Sequence, residues 1–263
     1  MSMLLPILRL AAEIVLFVVL LFYVLGPVLV RFTLKQPIAP AFQPVQLEGL
    51  PPEAQDFLSD AARRLAPLGF EPAQTCVLLQ KDIGTILMLL VHREARDTAM
   101  ATAMYVRITA GQDKLLKLLR KTYVEFCTEF SDGSELCTNN SSELGTFPQA
   151  PDKQVCQLPH VKDADALHGI HQEMLRRRKT QAAKVIPEPG RELEHLREGW
   201  ARDLERQAER GYLVRSERQG VYRATWKGAL LMTWKLLWPV SAVRRSRLRR
   251  EAEAAARSVR ELS

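Results

Sequence analysis

The chain has 263 residues, 47% of them hydrophobic, and a net charge of +7. That length fits one or two domains with a real core, and the basic balance points to an acidic partner, either nucleic acid or anionic lipid headgroups. Four cysteines are too few for a disulfide-built secreted scaffold, and with none in a CxxC arrangement a zinc knuckle or thioredoxin-type motif is unsupported.

Residues 14–30 carry no charge, and with Leu10–Ala12 they reach the roughly 20 residues that cross a bilayer core. Glu13 lies near one end and Pro27 near the other, where a kink is cheap. Only Arg9 precedes the apolar run and no small-x-small site follows it, so an uncleaved anchor is expected rather than a signal peptide. Arg31 and Lys35 follow the helix with no acid before Glu48, which places the rest of the chain on the cytoplasmic side by the positive-inside rule.

Residues 35–52 are proline-spaced and read as an extended tether. Ala54, Phe57, Leu58, Ala61, Ala62 and Leu65 recur at helical spacing until Pro67 and Gly69 stop the run. Three short apolar stretches, TCVLLQ, TILMLLVH and TAMATAMYVRI, read as antiparallel strands. DKLLKLLRK, from Asp113 to Lys121, suits strand or helix.

A hairpin follows, turned at Asp132-Gly133. A three-residue loop with Gly133 left-handed pairs Thr128 with Leu136. It gathers Phe126, Thr128, Phe130, Leu136 and Thr138 on one face, and Glu125, Cys127, Glu129, Glu135 and Cys137 on the other. A two-residue loop would mix apolar and charged residues, so the hydrophobic pattern selects the first register. It sets Cys127 opposite Cys137 with Cβ atoms about 4.5–5.5 Å apart. A disulfide is geometrically available there, but in a cytoplasmic domain the pair is expected to remain thiols. The sequons at Asn139 and Asn140 matter only in a secretory lumen.

KQVCQLP reads as a strand and residues 163–179 as a helix, with Asp163 as N-cap and a basic end that complements the dipole. TQAAKVIPEPG reads as a linker. Leu193, Leu196, Trp200, Leu204 and Ala208 form another helical stripe, ended by Gly211. Residues 211–225 read as a second hairpin. WKGALLMTWKLLWP is apolar on nearly every face but too short to span, and Lys235 would cost about 2.5–3.5 kcal/mol at a bilayer centre. Trp226, Trp234 and Trp238 favour a membrane interface, and Arg244, Arg245, Arg247, Arg249 and Arg250 favour anionic headgroups. An interfacial helix is therefore expected, with a core helix as the alternative.

Cys156, His160, His168 and His171 form the one cluster with metal-ligand residue types, but their spacing matches no closed zinc pattern, and His171 also fits a packed position beside Leu167 and Met174. No metal and no cofactor are expected. GxGxxG, Walker A, GxSxG and HExxH motifs are absent, so no catalytic residues are assigned. Arg215, Arg218 and Arg223 on the second hairpin would suit a winged-helix contact to phosphates, but a recognisable helix-turn-helix is missing, which weakens the nucleic-acid reading.

Phe126, Thr128, Phe130, Asp132, Gly133, Leu136, Thr138 and Asn140, with Gly211, Tyr212, Tyr222, Thr225, Lys227 and Gly228, carry a resemblance to a group of uncharacterised bacterial single-pass membrane-anchored proteins with a domain of unknown function. It spans residues 52–239 and implies one N-terminal anchor and an α+β domain, without an activity or site residues. The expected architecture is α+β. It has an N-terminal transmembrane helix (1–34), a tether (35–52), an antiparallel sheet flanked by helices (53–180) and a helix–hairpin–helix region with a basic amphipathic C-terminal helix (181–263). The expected role is binding or scaffolding at the bacterial inner membrane. Membrane lipids and another membrane or cytoplasmic protein are the partners. A metal-dependent enzyme using the Cys156/His160/His168/His171 region and a membrane-tethered winged-helix-like nucleic-acid binder are the rival classes.

Overall fold

A computed structural model describes residues 4–79, 83–110, 114–143, 145, 147–237 and 239–260. The elements in chain order are α1 (Leu4–Thr33), β1 (Lys35–Pro37), β2 (Phe42–Pro44), α2 (Pro52–Leu65), β3 (Glu71–Leu79), β4 (Ile83–His92), β5 (Asp97–Ala110), β6 (Lys114–Phe130), β7 (Glu135–Asn139) and β8 (Lys153–Gln157). They continue with α3 (Ala164–Arg177), β9 (Lys184–Val185), α4 (Glu192–Glu209), β10 (Leu213–Ser216), β11 (Val221–Ala224), α5 (Trp226–Leu236) and α6 (Val240–Arg260). The fold is α+β, as expected. The chain forms two compact units, residues 1–39, 144–148 and 201–246 in one, and residues 40–143, 149–200 and 247–263 in the other.

The larger unit is a sheet of order β2-β3-β4-β5-β6-β7-β8, antiparallel except for the parallel pair β7–β8, with β9 added beside β6. Alternation along the strands sends Ile86, Met88, Leu90, Ala99, Ala101, Ala103, Val124 and Phe126 to one face. There they meet Ala54, Leu58, Ala61 and Leu65 of α2 and Ala164, Leu167 and Ile170 of α3. Small alanines on β5 let the helices sit close, and side chains such as Leu58, Leu65 and Leu167 are fully buried. Each contributes about 1.5–3 kcal/mol of transfer free energy. On the opposite face Phe42, Cys76, Leu78 and Leu87 pack against Leu193, Leu196 and Trp200 from the start of α4.

Local signals act where the sequence placed them. Gly69 ends the 3₁₀ turn after α2 at φ 88°, and a Cβ there would lie 2.6 Å from the His92 ring, so both conformation and space demand glycine. Asp163 accepts from the Ala166 N–H as the N-cap of α3. The hairpin takes the three-residue turn, with Gly133 at φ 79°, Thr128 opposite Leu136 and Cys127 opposite Cys137.

Two expectations are corrected. Residues 35–52 are no free tether, because β1 pairs with β11, β2 pairs with β3, and Phe42 is buried. Extended, proline-spaced chain is also what an edge strand looks like, so composition alone could not separate the two. The stretch read as a linker contributes β9, which hydrogen-bonds along Glu129 and Phe130. DKLLKLLRK resolves as strand from Lys114 onward; Asp113 lies outside the described residues.

The smaller unit holds α1, a three-stranded antiparallel sheet of order β1-β11-β10, the end of α4, α5 and the start of α6. Residues 13–33 of α1 have a mean hydropathy of 2.6, long and apolar enough to cross a membrane, a property an anchor shares with a signal sequence. Thr225 caps α5, accepting from the Gly228 N–H at 3.0 Å and donating to the Gly211 carbonyl at 2.7 Å. A Cβ on Gly228 would lie 2.0 Å from the Tyr212 carbonyl oxygen, so backbone meets backbone only because that residue is glycine.

Candidate functional site

Under α3 the larger unit buries a connected polar chain. Lys184 from β9 donates to Asp97 at 2.8 Å, and Gln172 donates to its other oxygen at 3.0 Å. Thr128 donates to Asp97 at 2.7 Å and lies 2.9 Å from His171 Nε2. His171 Nδ1 lies 3.0 Å from the Thr138 hydroxyl. Asp97, Thr128, Thr138 and His171 are fully buried. The directions of these bonds follow from chemistry. An ionised carboxylate only accepts, so the single Thr128 proton goes to Asp97, and Thr128 must accept from Nε2–H. His171 is then the Nε2–H tautomer, and Nδ1 accepts from Thr138.

The charges obey the same geometry. Burial alone would raise the Asp97 carboxyl, but the hydrogen bonds from Lys184, Gln172 and Thr128 outweigh it and hold the group below its ordinary value. Burial pushes His171 down to about 4, against the pull of Asp97, so the ring is neutral at physiological pH. His168 is also lowered, chiefly by burial. Its ring packs on Phe70 and Phe126, and its Nε2 lies 3.0 Å from Gln172 Nε2.

Both nitrogens of His171 are therefore taken by threonines, and neither faces solvent. The arrangement ties α3 and β9 to β5, β6 and β7; it offers no exposed base. Cys156 packs at the edge of the main core and His160 is exposed, so the four suggested metal-ligand residues do not converge. Among the described residues one cluster has close ligand-type atoms, Glu125, Cys127 and Cys137, and its two sulfurs are bonded to each other. The structure joins the two cysteines where the sequence reading expected thiols. The two cysteines sit directly opposite on β6 and β7 with Cα atoms 4.2 Å apart, and the bond closes over that short span. Cys76 is buried and its thiol is pushed up to about 11 by burial, an inert position.

A cleft of about 140 Å³ is lined by Ile186, Pro187, Glu188, Arg191, Glu194, His195 and Glu198. It falls short of the roughly 300 Å³ at which small-molecule sites begin. Arg191 is paired with Glu188 and Glu194, and His195 hydrogen-bonds Glu129 at 2.8 Å.

The smaller unit presents the other candidate. α5 runs back along the end of α1: Trp226 meets Phe32 edge-on at 6.4 Å, and Trp234 Nε1 reaches the Tyr23 carbonyl at 3.4 Å. A Cβ on Gly26 would lie 2.5 Å from a Thr233 methyl, so the helices nearly touch there. Gly228, Ala229 and Thr233 are buried, while Trp226, Trp234 and Leu236 are exposed. Arg245, Arg247, Arg249 and Arg250 are exposed on α6, and Arg244 is half-buried. Trp238 lies outside the described residues. On the second hairpin Arg215 is paired with Glu217 at 2.6 Å, Arg218 is exposed and Arg223 is half-buried on the neighbouring strand, so the three form no single phosphate-facing row.

The sequence had marked Trp226 and Trp234, which lie on α5 beside α1, and the arginines, which lie on α6. It missed Asp97, Thr128, Thr138, Gln172 and Lys184. A buried aspartate at a strand start leaves no periodic signature. Comparison with protein-family models, with curated proteins and with solved structures gave no match.

Proposed function

We propose that this is a membrane-anchored binding or scaffolding protein whose C-terminal helices contact the surface of the membrane that holds α1. The supporting observation is the α1–α5 pair, which leaves Trp226, Trp234 and Leu236 exposed beside the anchor and leads directly into the arginines of α6. Tryptophan favours the headgroup level, and a basic helix next to it gains from anionic lipid. The larger unit supports binding rather than catalysis in two features, the closed hydrogen-bonded chain from Lys184 through Asp97 and His171 to Thr138, and the small size of the cleft beside His195. The test is hydrogen exchange on the full chain in nanodiscs. Amides of α6 exchange more slowly in anionic than in zwitterionic lipid; equal rates would sink the reading.

The charges at Arg31, Lys35 and along α6 favour a cytoplasmic position for the domain on the inner membrane of a bacterium. A second reading rests on the Cys127–Cys137 bond, which belongs to an oxidising compartment and would place the same anchored domain on the far side. Thiol trapping in intact cells separates them. Free thiols at both positions support the cytoplasmic placement, and a bonded pair supports the other.

A further inference from the structure

The length of α1 exceeds what a bilayer needs. At 30 residues it measures about 45 Å, against a hydrocarbon core of about 30 Å. About ten residues must therefore lie outside, and the structure shows at which end. Every residue from Glu13 to Phe22 is exposed, and among the described residues none is packed closely enough to cover that stretch. From Tyr23 onward one side of the helix is covered, Pro27 fully, because α5 lies along it.

The level of Tyr23 carries groups that do not belong in hydrocarbon. Trp234 reaches the Tyr23 carbonyl, and the next residue, Lys235, lies 3.4 Å from the carbonyl of Gly145, which belongs to no helix or strand. Irregular backbone is not tolerated where lipid tails surround it. Arg210 donates to the Pro148 carbonyl, and the charges of Arg210 and Arg244 both act on Lys235. Arg244 buries Nη1 without a hydrogen-bond partner among the described residues. Just past this level α5 turns into α6, and the elbow exposes Leu236, Val240 and Val243 at 65%, 40% and 66%.

We infer that the bilayer surface meets α1 near Tyr23 rather than near Thr33, and that the α5–α6 elbow is a wedge seated in the headgroup layer of an anionic membrane. Leu236, Val240 and Val243 enter the acyl boundary, while Lys235 and Arg244 meet lipid phosphate. The embedded stretch is then residues 4–22, about 28 Å long. Arg9 and Glu13, paired at 2.9 Å, then lie about 15 Å or more from the Tyr23 level, so they enter the hydrocarbon as a pair without net charge, at a desolvation cost that the interfacial contacts of the elbow offset. The final turns of α1 stand outside as a stalk clasped by α5. This rests on the proposed membrane contact and refines where it lies.

The experiment is single-cysteine labelling of the full chain in nanodiscs with a water-soluble maleimide, read above the labelling of the unaltered protein. Cysteines replace Leu16, Leu20, Leu29 and Phe32 one at a time, in zwitterionic and in anionic lipid. The expected result is protection at 16 and 20 and labelling at 29 and 32. Protection extending through 32 overturns the boundary but leaves the membrane reading intact. Labelling at all four overturns both. For the wedge, Val240→Cys and Val243→Cys should be protected at least fivefold more in anionic than in zwitterionic discs. Equal labelling in the two lipids overturns the headgroup assignment. Circular dichroism of each variant confirms that it is folded.

Discussion

Replacing His171 with leucine should flatten the pH dependence of stability between pH 6.5 and 4.5. The unfolded chain takes up a proton on this ring around its ordinary value of 6.5, but in the folded chain burial delays uptake to about 4. A depressed histidine therefore contributes stability that is complete above 6.5 and falls as pH drops toward 4, where the loss levels off. The shift of about 2.5 pH units corresponds to a full loss of about 3 kcal/mol, at no more than about 1.4 kcal/mol per pH unit. Asp97 is lowered as well, so its contribution is lost only below the carboxylate range and leaves the histidine window clear. His168 is lowered in the same direction as His171 and supplies whatever slope the variant retains. The assay is urea unfolding of the full chain in detergent, followed by circular dichroism at pH 7, 6, 5 and 4.5. Thr128 keeps its bond to Asp97 in the variant, and Thr138 can turn to the Met174 sulfur at 3.8 Å, so the fold should survive with a loss of about 1–3 kcal/mol at pH 7. An unchanged slope in His171→Leu would refute the argument.

Three further outcomes follow from the geometry. Lys184→Met strands the Asp97 carboxylate in the core and should cost about 3–5 kcal/mol, while adding Asp97→Asn should recover part of it in the same unfolding assay. Reducing the Cys127–Cys137 bond frees a loop of ten-residue separation and should cost about 2.5 kcal/mol, provided that mass spectrometry shows the untreated chain two hydrogens lighter. Gly228→Ala puts a methyl into the Tyr212 carbonyl and should release α5, seen as greater solvent exposure of Trp234 in fluorescence quenching; an unaltered spectrum would count against the packing described.

The fold was legible wherever the apolar residues of an element follow its own period. The stripe of α2, the alternation of β3 to β5 and the register of the β6–β7 hairpin were readable for that reason, since a one-residue slip would have moved Phe126 and Leu136 to the other face; that every residue of β7 is buried was not readable. Segments whose structure depends on a distant partner were not readable. Phe42 looks like one residue of a proline-rich tether until β3 is beside it, and Lys184 looks like linker charge until Asp97 lies 2.8 Å away. The polar chain under α3 failed for the same reason. Thr128 and Thr138 were assigned to the buried face correctly, but nothing local says that an aspartate and a histidine from elsewhere will meet them there.

Three consecutive residues of β6 fasten the larger unit from both faces of its sheet. Cys127 is bonded across to β7, Thr128 links Asp97 of β5 with His171 of α3 on the opposite face, and Glu129 binds His195 of α4 back on the first face. β9 pairs with the end of the same strand. One strand is thus fastened to two neighbouring strands, two helices and a connecting segment within about 7 Å of chain. Each of these groups spends its bonding capacity inside the fold, so the hold of this strand on its neighbours rests on all of them together.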